Sequence, residues 1–525
     1  MNRAIGISKL ADPDHVWDVV IIGGGASGLG AAVDAACRGY STLLLEQHDF
    51  AKGTSSRSTK LVHGGVRYLA QGDISLVLEA LRERGLLKSN APHLFENREF
   101  IIPNYRWWGG TFYTLGLKMY DKMAGDLGLG PSTHISKEEV MQYIPNLIEE
   151  DLYGGVIYHD GQFDDSRLAI NLAQTVYDLG GTVINYCRVS GLIKSDEGLV
   201  VGVTTIDEES GKEYQVRAKS VVNATGIFVD EILSMDDETH EPMVMPSQGV
   251  HLVIERDFLP NDYAIMIPKT SDGRVLFAVP WHDKVILGTT DIPKPEPQIE
   301  PMATEEEVDF ILGMAKHFLV RHPKREDVLS VFAGLRPLAA VPSKDGEETE
   351  TKEISRNHKV LVSLSGLITV IGGKWTTYRQ MGEDVINKVG LILGGSKKIS
   401  TTENLTIHGA AFDLDFDVHW HIYGSDLPYI QELIQEQPEL STPIDPDLPY
   451  TKAEVIWSVR NEMARTVEDV LTRRTRALFL NAKASIHMAP IVAKLMADEL
   501  NYDEQWELEQ VKEFTQLAQN YILEK

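Results

Sequence analysis

Three glycines near the start of the chain have the spacing of a dinucleotide-binding turn. Gly23, Gly25 and Gly28 form GxGxxG between a short apolar run and a helical pattern. Glycines at this spacing let the backbone approach a pyrophosphate, and the helix N-terminus supplies N–H donors and a favourable dipole. Glu46 ends the next apolar run and could accept a hydrogen bond from the adenosine ribose. The pattern predicts dinucleotide binding; the alternative is a structural turn with an ordinary surface glutamate.

Other small-residue turns indicate which dinucleotide binds. The run Gly53–Ser58 (GTSSRS) suits a second approach to a pyrophosphate, and Asn223–Gly226 (NATG) and Gly372–Lys374 (GGK) each follow an apolar run. Several such turns at strand ends predict a long cofactor extended across a sheet. FAD fits this better than NAD.

The elements that must position these turns are strands and helices in alternation. Short runs rich in Val, Leu and Ile predict buried strands, and two segments have helical periodicity. The predicted strands are Trp17–Ile22, Ser41–Glu46, Ser220–Ala224 and Lys359–Leu364, and the predicted helices are Ala26–Arg38 and Ser166–Leu179. Strand–helix–strand order with short turns implies a parallel sheet with right-handed crossovers.

Two further regions differ in character from this α/β part. Residues 246–290 hold apolar runs separated by turn residues such as Ser271–Gly273, which predicts a mostly antiparallel sheet. From Thr401 onward the pattern is helical, with helices predicted at Glu454–Arg474 and Ala484–Leu500. We therefore predict an α/β protein with three parts: a Rossmann-like FAD-binding domain (residues 1–95, 150–245 and 335–400), an inserted antiparallel-sheet substrate domain (96–149 and 246–334) and a C-terminal all-helical domain (401–525).

Composition excludes several classes of protein. The 525 residues include only two cysteines and carry a formal net charge of −27. A disulfide framework is therefore not expected, and an acidic chain is a poor nonspecific ligand for nucleic acid. No metal site is predicted, because the DxDxD run at Asp413–Asp417 lacks the glycine and distal glutamate of a calcium loop. No signal peptide or membrane-spanning run is evident.

At the level of whole motifs, the sequence closely resembles the FAD-dependent glycerol-3-phosphate dehydrogenases, a branch of the D-amino-acid-oxidase-like flavoproteins. The resemblance runs from about Trp17 to Ala497. The stretches that carry it are Ile22–Gly30, Thr54–Leu69 (TSSRSTKLVHGGVRYL), Ala333–Pro337 (AGLRP), Gly372–Tyr378 (GGKWTTY) and Glu462–Phe479 (EMARTVEDVLTRRTRALF). It implies noncovalent FAD and oxidation of sn-glycerol 3-phosphate to dihydroxyacetone phosphate, with electrons passed to a membrane quinone.

Candidate substrate residues follow from this resemblance and from the chemistry of phosphate. Arginine binds two phosphate oxygens with one planar fork. Arg336 and Arg356 are the first candidates for that role, and Arg67 and Tyr68 match positions that line the family's substrate pocket. Thr289 is expected to bond a substrate oxygen.

The general base is a separate question with two candidates. His251 is preferred because its ordinary pKa lies near neutrality and its predicted strand could present it to the flavin. Lys374 is the alternative, and such a lysine could also stabilise anionic reduced flavin. We predict catalytic roles for His251, Arg336 and Lys374. The residues expected to contact FAD are Gly23, Gly25, Ser27, Gly28, Glu46, Thr54, Ser55, Ser58, Lys60, Leu61, Val189, Ala224, Gly226, Gly334, Gly373, Lys374, Trp375 and Thr376.

One segment suits contact with a membrane. Phe100–Met123 interleaves aromatic and aliphatic residues with Arg106, Lys118 and Lys122, as an interfacial anchor does. The alternatives are part of the substrate-domain core or a subunit interface. We expect a homodimer held peripherally on the cytoplasmic face of the membrane.

Rival functions share much of this pattern. A soluble glycerol-3-phosphate oxidase that makes hydrogen peroxide would use the same flavin and phosphate residues. Oxidases of the family often carry an insertion, and none is obvious here beyond the charged segment Lys344–Glu353. A relative acting on an amino acid or another polyol would not need several phosphate-binding arginines, and a flavin-binding protein without turnover would not be reduced by substrate.

Overall fold

The structure is a computed structural model that describes residues 1–66, 69, 73–106, 109–267, 275–340, 357–394 and 398–524, with the backbone alone at 109–112. The strands are β1 Val16–Trp17, β2 Val19–Ile22, β3 Thr42–Leu45, β4 Leu61–Val62, β5 Phe95–Asn104, β6 Thr133–Ile135, β7 Gly154–Phe163, β8 Thr182–Ile184, β9 Cys187–Lys194, β10 Val200–Asp207, β11 Glu213–Ala218, β12 Val221–Asn223, β13 Val244–Glu255, β14 Ala264–Ile267, β15 Leu276–Trp281, β16 Lys284–Gly288, β17 Ile292–Pro293, β18 Val328–Ala339, β19 Lys359–Val362, β20 Ile368–Ile371, β21 Pro443–Asp445 and β22 Leu448–Thr451. The α-helices are α1 Arg3–Leu10, α2 Ala26–Cys37, α3 Ile74–Asn90, α4 Gly109–Ala124, α5 Lys137–Tyr143, α6 Asp165–Asp178, α7 Val229–Asp236, α8 Glu305–Phe318, α9 Tyr378–Leu393, α10 Leu427–Glu436, α11 Lys452–Asn461, α12 Ala477–Leu480, α13 Ala482–Leu500 and α14 Glu504–Gln519.

A six-stranded sheet in the order β19-β20-β12-β2-β3-β8 forms the predicted Rossmann-like core. Strands β20, β12, β2, β3 and β8 are parallel, and every residue of β2 and β3 is buried. Helix α2 packs between α9 and α6, so the apolar runs of the central strands are covered as parallel strands require. The carboxyl ends of β2, β3, β12 and β20 therefore meet at one edge.

The prediction of a buried strand at Lys359–Leu364 is wrong. This stretch forms β19, an antiparallel edge strand whose residues Leu361 and Val362 are exposed, as is Leu364 beyond it. The buried strand of this region is β20, which follows it and contributes Ile368 and Ile371 to the core. Apolar composition alone did not distinguish the edge strand from its buried neighbour.

A large, mostly antiparallel sheet forms the second layer. Its strands lie in the order β17-β13-β16-β15-β14-β5-β7-β4, with β18 also paired to β13 and β6 to β7. Strand β7 pairs with β5 over its whole length, from Gly154 to Phe163. It thus belongs to this sheet, although the predicted boundary at residue 150 assigns it to the FAD-binding domain. A smaller sheet in the order β1-β11-β10-β9 flanks the parallel core.

Helices of the C-terminal region cover the back of the large sheet. Residues of α11 to α14 form one apolar core with Trp281, Ile286 and Phe332 of the sheet. The predicted helix Glu454–Arg474 is interrupted, because α11 ends at Asn461, Met463 has a φ of +54° and a π-helical turn follows at Asp469–Arg474. Among the described residues, no helix has the length and apolarity needed to cross a membrane.

Buried ion pairs join this helical region to the FAD-binding part. Asp49 accepts from Arg473 Nε at 2.5 Å and from Arg474 Nη2 at 3.0 Å. Arg167 of α6 donates to both carboxylate oxygens of Glu462, at 2.7 and 2.8 Å. All five side chains are fully buried, so these charges depend on one another for compensation.

Candidate active site

The turn between β2 and α2 needs glycine at two positions for steric reasons. Gly23 has a φ of +109°, and a Cβ there would lie 2.6 Å from the carbonyl oxygen of Ala224. A Cβ on Gly28 would lie 1.9 Å from the carbonyl oxygen of Gly23. The helix N-terminus is thereby held against the ends of β2 and β12, as a pyrophosphate-binding turn requires.

Glu46 closes this turn from the end of β3. Its carboxylate accepts hydrogen bonds from the Gly24 N–H at 2.6 Å and the His48 N–H at 2.8 Å. Burial raises its pKa, with the two N–H donors acting in the opposite sense. Each oxygen retains a second lone pair, so Glu46, which lines the cleft, is able to accept from a ribose hydroxyl as well.

The run of small hydroxylated residues at 53–58 is tied down by the protein itself. Thr54 Oγ1 donates to the Leu335 carbonyl of β18 at 2.6 Å, and Ser55 Oγ accepts from Ala26 N–H of α2 at 3.0 Å. Ser58 Oγ donates to Asp165 at 2.7 Å. This loop is therefore fixed to strand β18 and to helices α2 and α6.

The turn after β20 completes the edge. Trp375 Nε1 donates to the Ser55 carbonyl at 2.8 Å, and the His63 N–H donates to Thr376 Oγ1 at 3.3 Å. Lys374 is half-buried and lines the same cleft.

These turns surround a cleft of about 410 Å³, within the range of ligand pockets. The structure brings together most of the predicted cofactor residues along its wall: Gly23, Gly25, Ser27, Glu46, Thr54, Ser55, Ser58, Leu61, Val189, Ala224, Gly226, Gly334, Gly373, Lys374, Trp375 and Thr376. Gly28 lies behind the turn and acts through packing. Main-chain turns without Cβ atoms, a helix N-terminus and an acidic side chain together fit FAD.

Lys60 differs from the other predicted cofactor residues. Its side chain is fully buried and does not line the cleft, because Nζ donates to the Ser56 carbonyl at 2.6 Å and to Asp165 at 2.7 Å. It lies behind the wall formed by its neighbours Thr59 and Leu61.

The opposite wall is made by the paired strands β13 and β18. In register, His251 faces Phe332, Gly249 faces Gly334 and Ser247 faces Arg336. The two glycines form a trough between an aromatic end and a cationic end. A Cβ on Gly249 would lie 2.3 Å from Arg336 Nη2, and a Cβ on Gly334 would lie 2.8 Å from the Arg57 Cβ. Glycine pairs inside strands mark places where a ligand approaches the backbone closely.

Arg336 is held in place by a short segment after β16. Its guanidinium donates to Asp291 at 3.1 Å, to the Thr290 carbonyl at 3.1 Å and to Thr289 Oγ1 at 3.3 Å. Its side chain is 23% exposed and lines the cleft. Thr289 contacts Arg336 and is not among the residues that line the cleft.

His251 lies at the other end of the trough, 3% exposed. Its ring stacks on Phe332 with centroids 4.8 Å apart and an interplanar angle of 17°. Burial, followed by the positive charges of Arg336 and Lys60, holds its pKa well below the usual 6.5. The imidazole is therefore neutral at neutral pH and able to accept a proton.

Sequence reasoning missed one contact of this site. Thr59 Oγ1 lies 2.9 Å from His251 Nε2, and the two residues are 192 positions apart. Thr59 belongs to the motif TSSRSTKL, but no local signal identifies its partner. The predicted substrate residues Arg67, Tyr68 and Arg356 lie outside the described residues, as do Ser271–Gly273 and Lys344–Glu353.

A parallel sheet with this turn, capped by an antiparallel sheet that carries a histidine and an arginine, defines a flavin-dependent oxidoreductase. Comparisons with known proteins agree. Residues 18–379 match the family described as FAD dependent oxidoreductase, and residues 389–507 match the C-terminal domain of alpha-glycerophosphate oxidase. The chain belongs to this FAD-dependent family, which confirms the predicted cofactor and fold class.

The relatives define its branch more narrowly. The chain is 39% identical to the mitochondrial glycerol-3-phosphate dehydrogenase of Schizosaccharomyces pombe, over 93% of this chain and 85% of that protein. It is 38% identical to the Homo sapiens protein of the same name, over 96% of this chain and 74% of that protein. The crystal structure of the Bacillus halodurans glycerol-3-phosphate dehydrogenase complexed with FAD superposes with a TM-score of 0.80 at 29% identity, covering 99% and 98% of the two chains. The resemblance to FAD-dependent glycerol-3-phosphate dehydrogenases is thus confirmed.

Proposed function

We propose that this protein oxidises sn-glycerol 3-phosphate to dihydroxyacetone phosphate and passes the electrons to a membrane quinone. The observation that carries the proposal is the placement of Arg336 and His251 at the two ends of the Gly249–Gly334 trough, on the wall that faces the cofactor turns. A phosphate anchor and a proton acceptor on one wall of the cleft suit a short phosphorylated alcohol. The names of the relatives support the same substrate.

Each side chain then has a defined task. Arg336, oriented by Asp291 and Thr290, binds the phosphate through its fork. His251, which is neutral at neutral pH, is the final acceptor of the proton that leaves the substrate hydroxyl. Lys374 places a positive charge on the cofactor side of the cleft, where it counters negative charge that develops in the reaction. FAD, when bound, supplies the two-electron acceptor.

Anaerobic stopped-flow reduction by glycerol 3-phosphate tests this function. Fast bleaching of the yellow protein, followed by faster reoxidation with a short-chain quinone than with oxygen, is the expected result. Rapid oxygen consumption with stoichiometric peroxide would instead identify an oxidase. A protein that stays yellow would exclude glycerol 3-phosphate as the substrate.

Membrane contact is proposed through α4. Within the predicted segment Phe100–Met123, Phe100 and its strand neighbours are core residues, stacked or packed inside the large sheet. Among the described side chains of this segment, the exposed apolar ones are Leu115 and Met119, at 74% and 51% exposure, with Lys118 and Lys122 exposed beside them. One helical turn of apolar residues flanked by lysines suits the interface of an anionic bilayer. Trp107 and Trp108 lie outside the described residues.

Flotation with phosphatidylglycerol vesicles tests this contact. Leu115→Asp is expected to lower the bound fraction about tenfold, because it removes the burial of one leucine in lipid. Leu391→Asp provides the matched control, since Leu391 is exposed to 76% on α9. Equal binding by the two variants would reject α4 as the anchor.

We also propose a homodimer on the cytoplasmic face of the membrane, which the family resemblance supports. Light scattering of the detergent-solubilised protein tests the dimer, and a mass of one chain would reject it.

A further inference from the structure

His251 lines the cleft, but its Nδ1 is buried and its Nε2 contacts Thr59. Its Nδ1 is buried and has no hydrogen-bond partner among the described residues. Its Cδ2 edge lies against β16, because a Cβ on Gly288 would come within 2.4 Å of that atom. Nε2 is covered by the Thr59 hydroxyl at 2.9 Å. One face of the ring is covered by Phe332.

Thr59 is half-buried and lines the cleft beside His251. It is therefore the group through which the cleft reaches Nε2 of the histidine. A threonine hydroxyl both donates and accepts, so it is able to hand a proton on in either direction.

The residue after Thr59 has an unusual backbone conformation that its own side-chain contacts hold. Lys60 has a φ of +62°, a left-handed conformation that is costly for a residue with a Cβ. Its ammonium is fixed between Asp165 and the Ser56 carbonyl, and it lies 5.3 to 5.4 Å from the ring centroids of Trp281, Phe332 and Phe479. Several simultaneous side-chain contacts of this kind can maintain a strained backbone at a functional site.

We propose that Thr59 is a catalytic residue that relays the substrate's hydroxyl proton to His251. This rests on the proposed oxidation of a phosphorylated secondary alcohol. The substrate O–H gives its proton to Thr59 Oγ1 as the Thr59 proton passes to His251 Nε2. The C2–H bond breaks in the same oxidation, and its hydrogen leaves with both electrons as a hydride to the family's flavin cofactor.

Thr59→Val tests the relay because it removes the hydroxyl and keeps the shape of the side chain. We expect flavin reduction to slow at least roughly 100-fold, with FAD content unchanged and with little change in the concentration of glycerol 3-phosphate that half-saturates reduction. Thr59→Ser, which keeps the hydroxyl, should stay within about fivefold of wild type. A reduction rate in Thr59→Val within about threefold of wild type would overturn the relay.

Two further measurements do not depend on the valine variant's activity. In ¹⁵N-histidine NMR of the holoprotein, the His251 Nε2 resonance, assigned with His251→Gln, should move in Thr59→Val and not in Thr59→Ser; an unmoved resonance would remove Thr59 as its partner.

In wild type, two protons move together, because a threonine hydroxyl cannot hold a second proton at neutral pH. When the rate of flavin reduction is plotted against the fraction of deuterium in the solvent, the points should therefore lie on a curve. A straight line would overturn the relay.

The outcomes also separate this inference from the proposed function. If wild type is not reduced by glycerol 3-phosphate, the proposed substrate fails. If wild type is reduced and Thr59→Val is reduced equally fast, the relay alone fails.

Discussion

The two walls of the cleft are built on different principles. The cofactor wall consists of main-chain turns at strand ends, where Gly23 and Gly28 permit approaches that no Cβ would allow. The substrate wall consists of side chains from β13 and β18, whose roles come from cross-strand register. The first wall acts through backbone and the second through side chains. Substitutions in the cofactor wall should therefore abolish binding of the cofactor. Substitutions in the substrate wall should leave a yellow protein that binds or oxidises substrate poorly.

Gly28→Ala, in the cofactor wall, is the substitution with the largest expected effect. Its Cβ would overlap the Gly23 carbonyl oxygen, so the turn must open. We expect bound FAD, measured by absorbance of purified protein, to fall to less than roughly a tenth of the wild-type content. Gly313→Ala in α8 is the control, because nothing lies near its Cβ. Normal FAD content in Gly28→Ala would mean that the cofactor does not depend on this turn.

His251→Gln should affect the substrate wall alone. Loss of the proton acceptor is expected to slow anaerobic flavin reduction by about 10²- to 10⁴-fold, with FAD content unchanged. His240→Gln, a histidine of the segment before β13, serves as the control. An unchanged rate would exclude His251 as the base.

Arg336→Met should weaken substrate binding more than it affects any other property. Loss of charge-assisted hydrogen bonds, about 1.5–3 kcal/mol, is expected to raise the glycerol 3-phosphate concentration for half-maximal reduction by about 10- to 100-fold. Arg460→Met, at an exposed arginine paired with Glu499, is the control. If FAD were lost as well, Arg336 would belong to the cofactor wall, and the two walls would not be separable.

A smaller, pH-dependent effect is expected beneath the cofactor wall. Lys52, which lines the cleft, and Arg473 hold the pKa of Glu468 at about 2, against a usual 4.5, in opposition to burial. The ionised form therefore stabilises the fold above pH 4.5, and this contribution is lost as the pH falls from 4.5 toward 2. Between pH 7 and 3.5 the loss is about 1 to 2 kcal/mol. Urea unfolding of Glu468→Gln should show a correspondingly flatter dependence on pH, and curves parallel to wild type would contradict the pKa.

The contrast between the walls also explains what the sequence could predict. The cofactor wall is built from short sequence motifs. GxGxxG, the acidic residue after β3 and the small-residue turns can each be recognised within a few positions of the sequence. His251 and Arg336 could be nominated by residue type, but their relation through Gly249 and Gly334 required the register of β13 against β18. The Thr59–His251 contact joins residues 192 positions apart and leaves no local pattern.

Two predicted elements were wrong because residue composition does not show whether a strand lies at a sheet edge or whether a helix is interrupted. Lys359–Leu364 is as apolar as a core strand but lies at a sheet edge. The periodicity of Glu454–Arg474 continues across a break at Met463, whose positive φ has no compositional signal.

The ion pairs of Asp49 have a consequence for the order of events during synthesis. Asp49 precedes the cofactor-wall loop, and its partners Arg473 and Arg474 follow it by 424 and 425 residues. At about 5–20 residues per second, a ribosome needs tens of seconds to reach them. During that interval the buried ion pairs of Asp49 behind the cofactor wall cannot yet form. We expect stable loading of FAD to follow release of the chain from the ribosome.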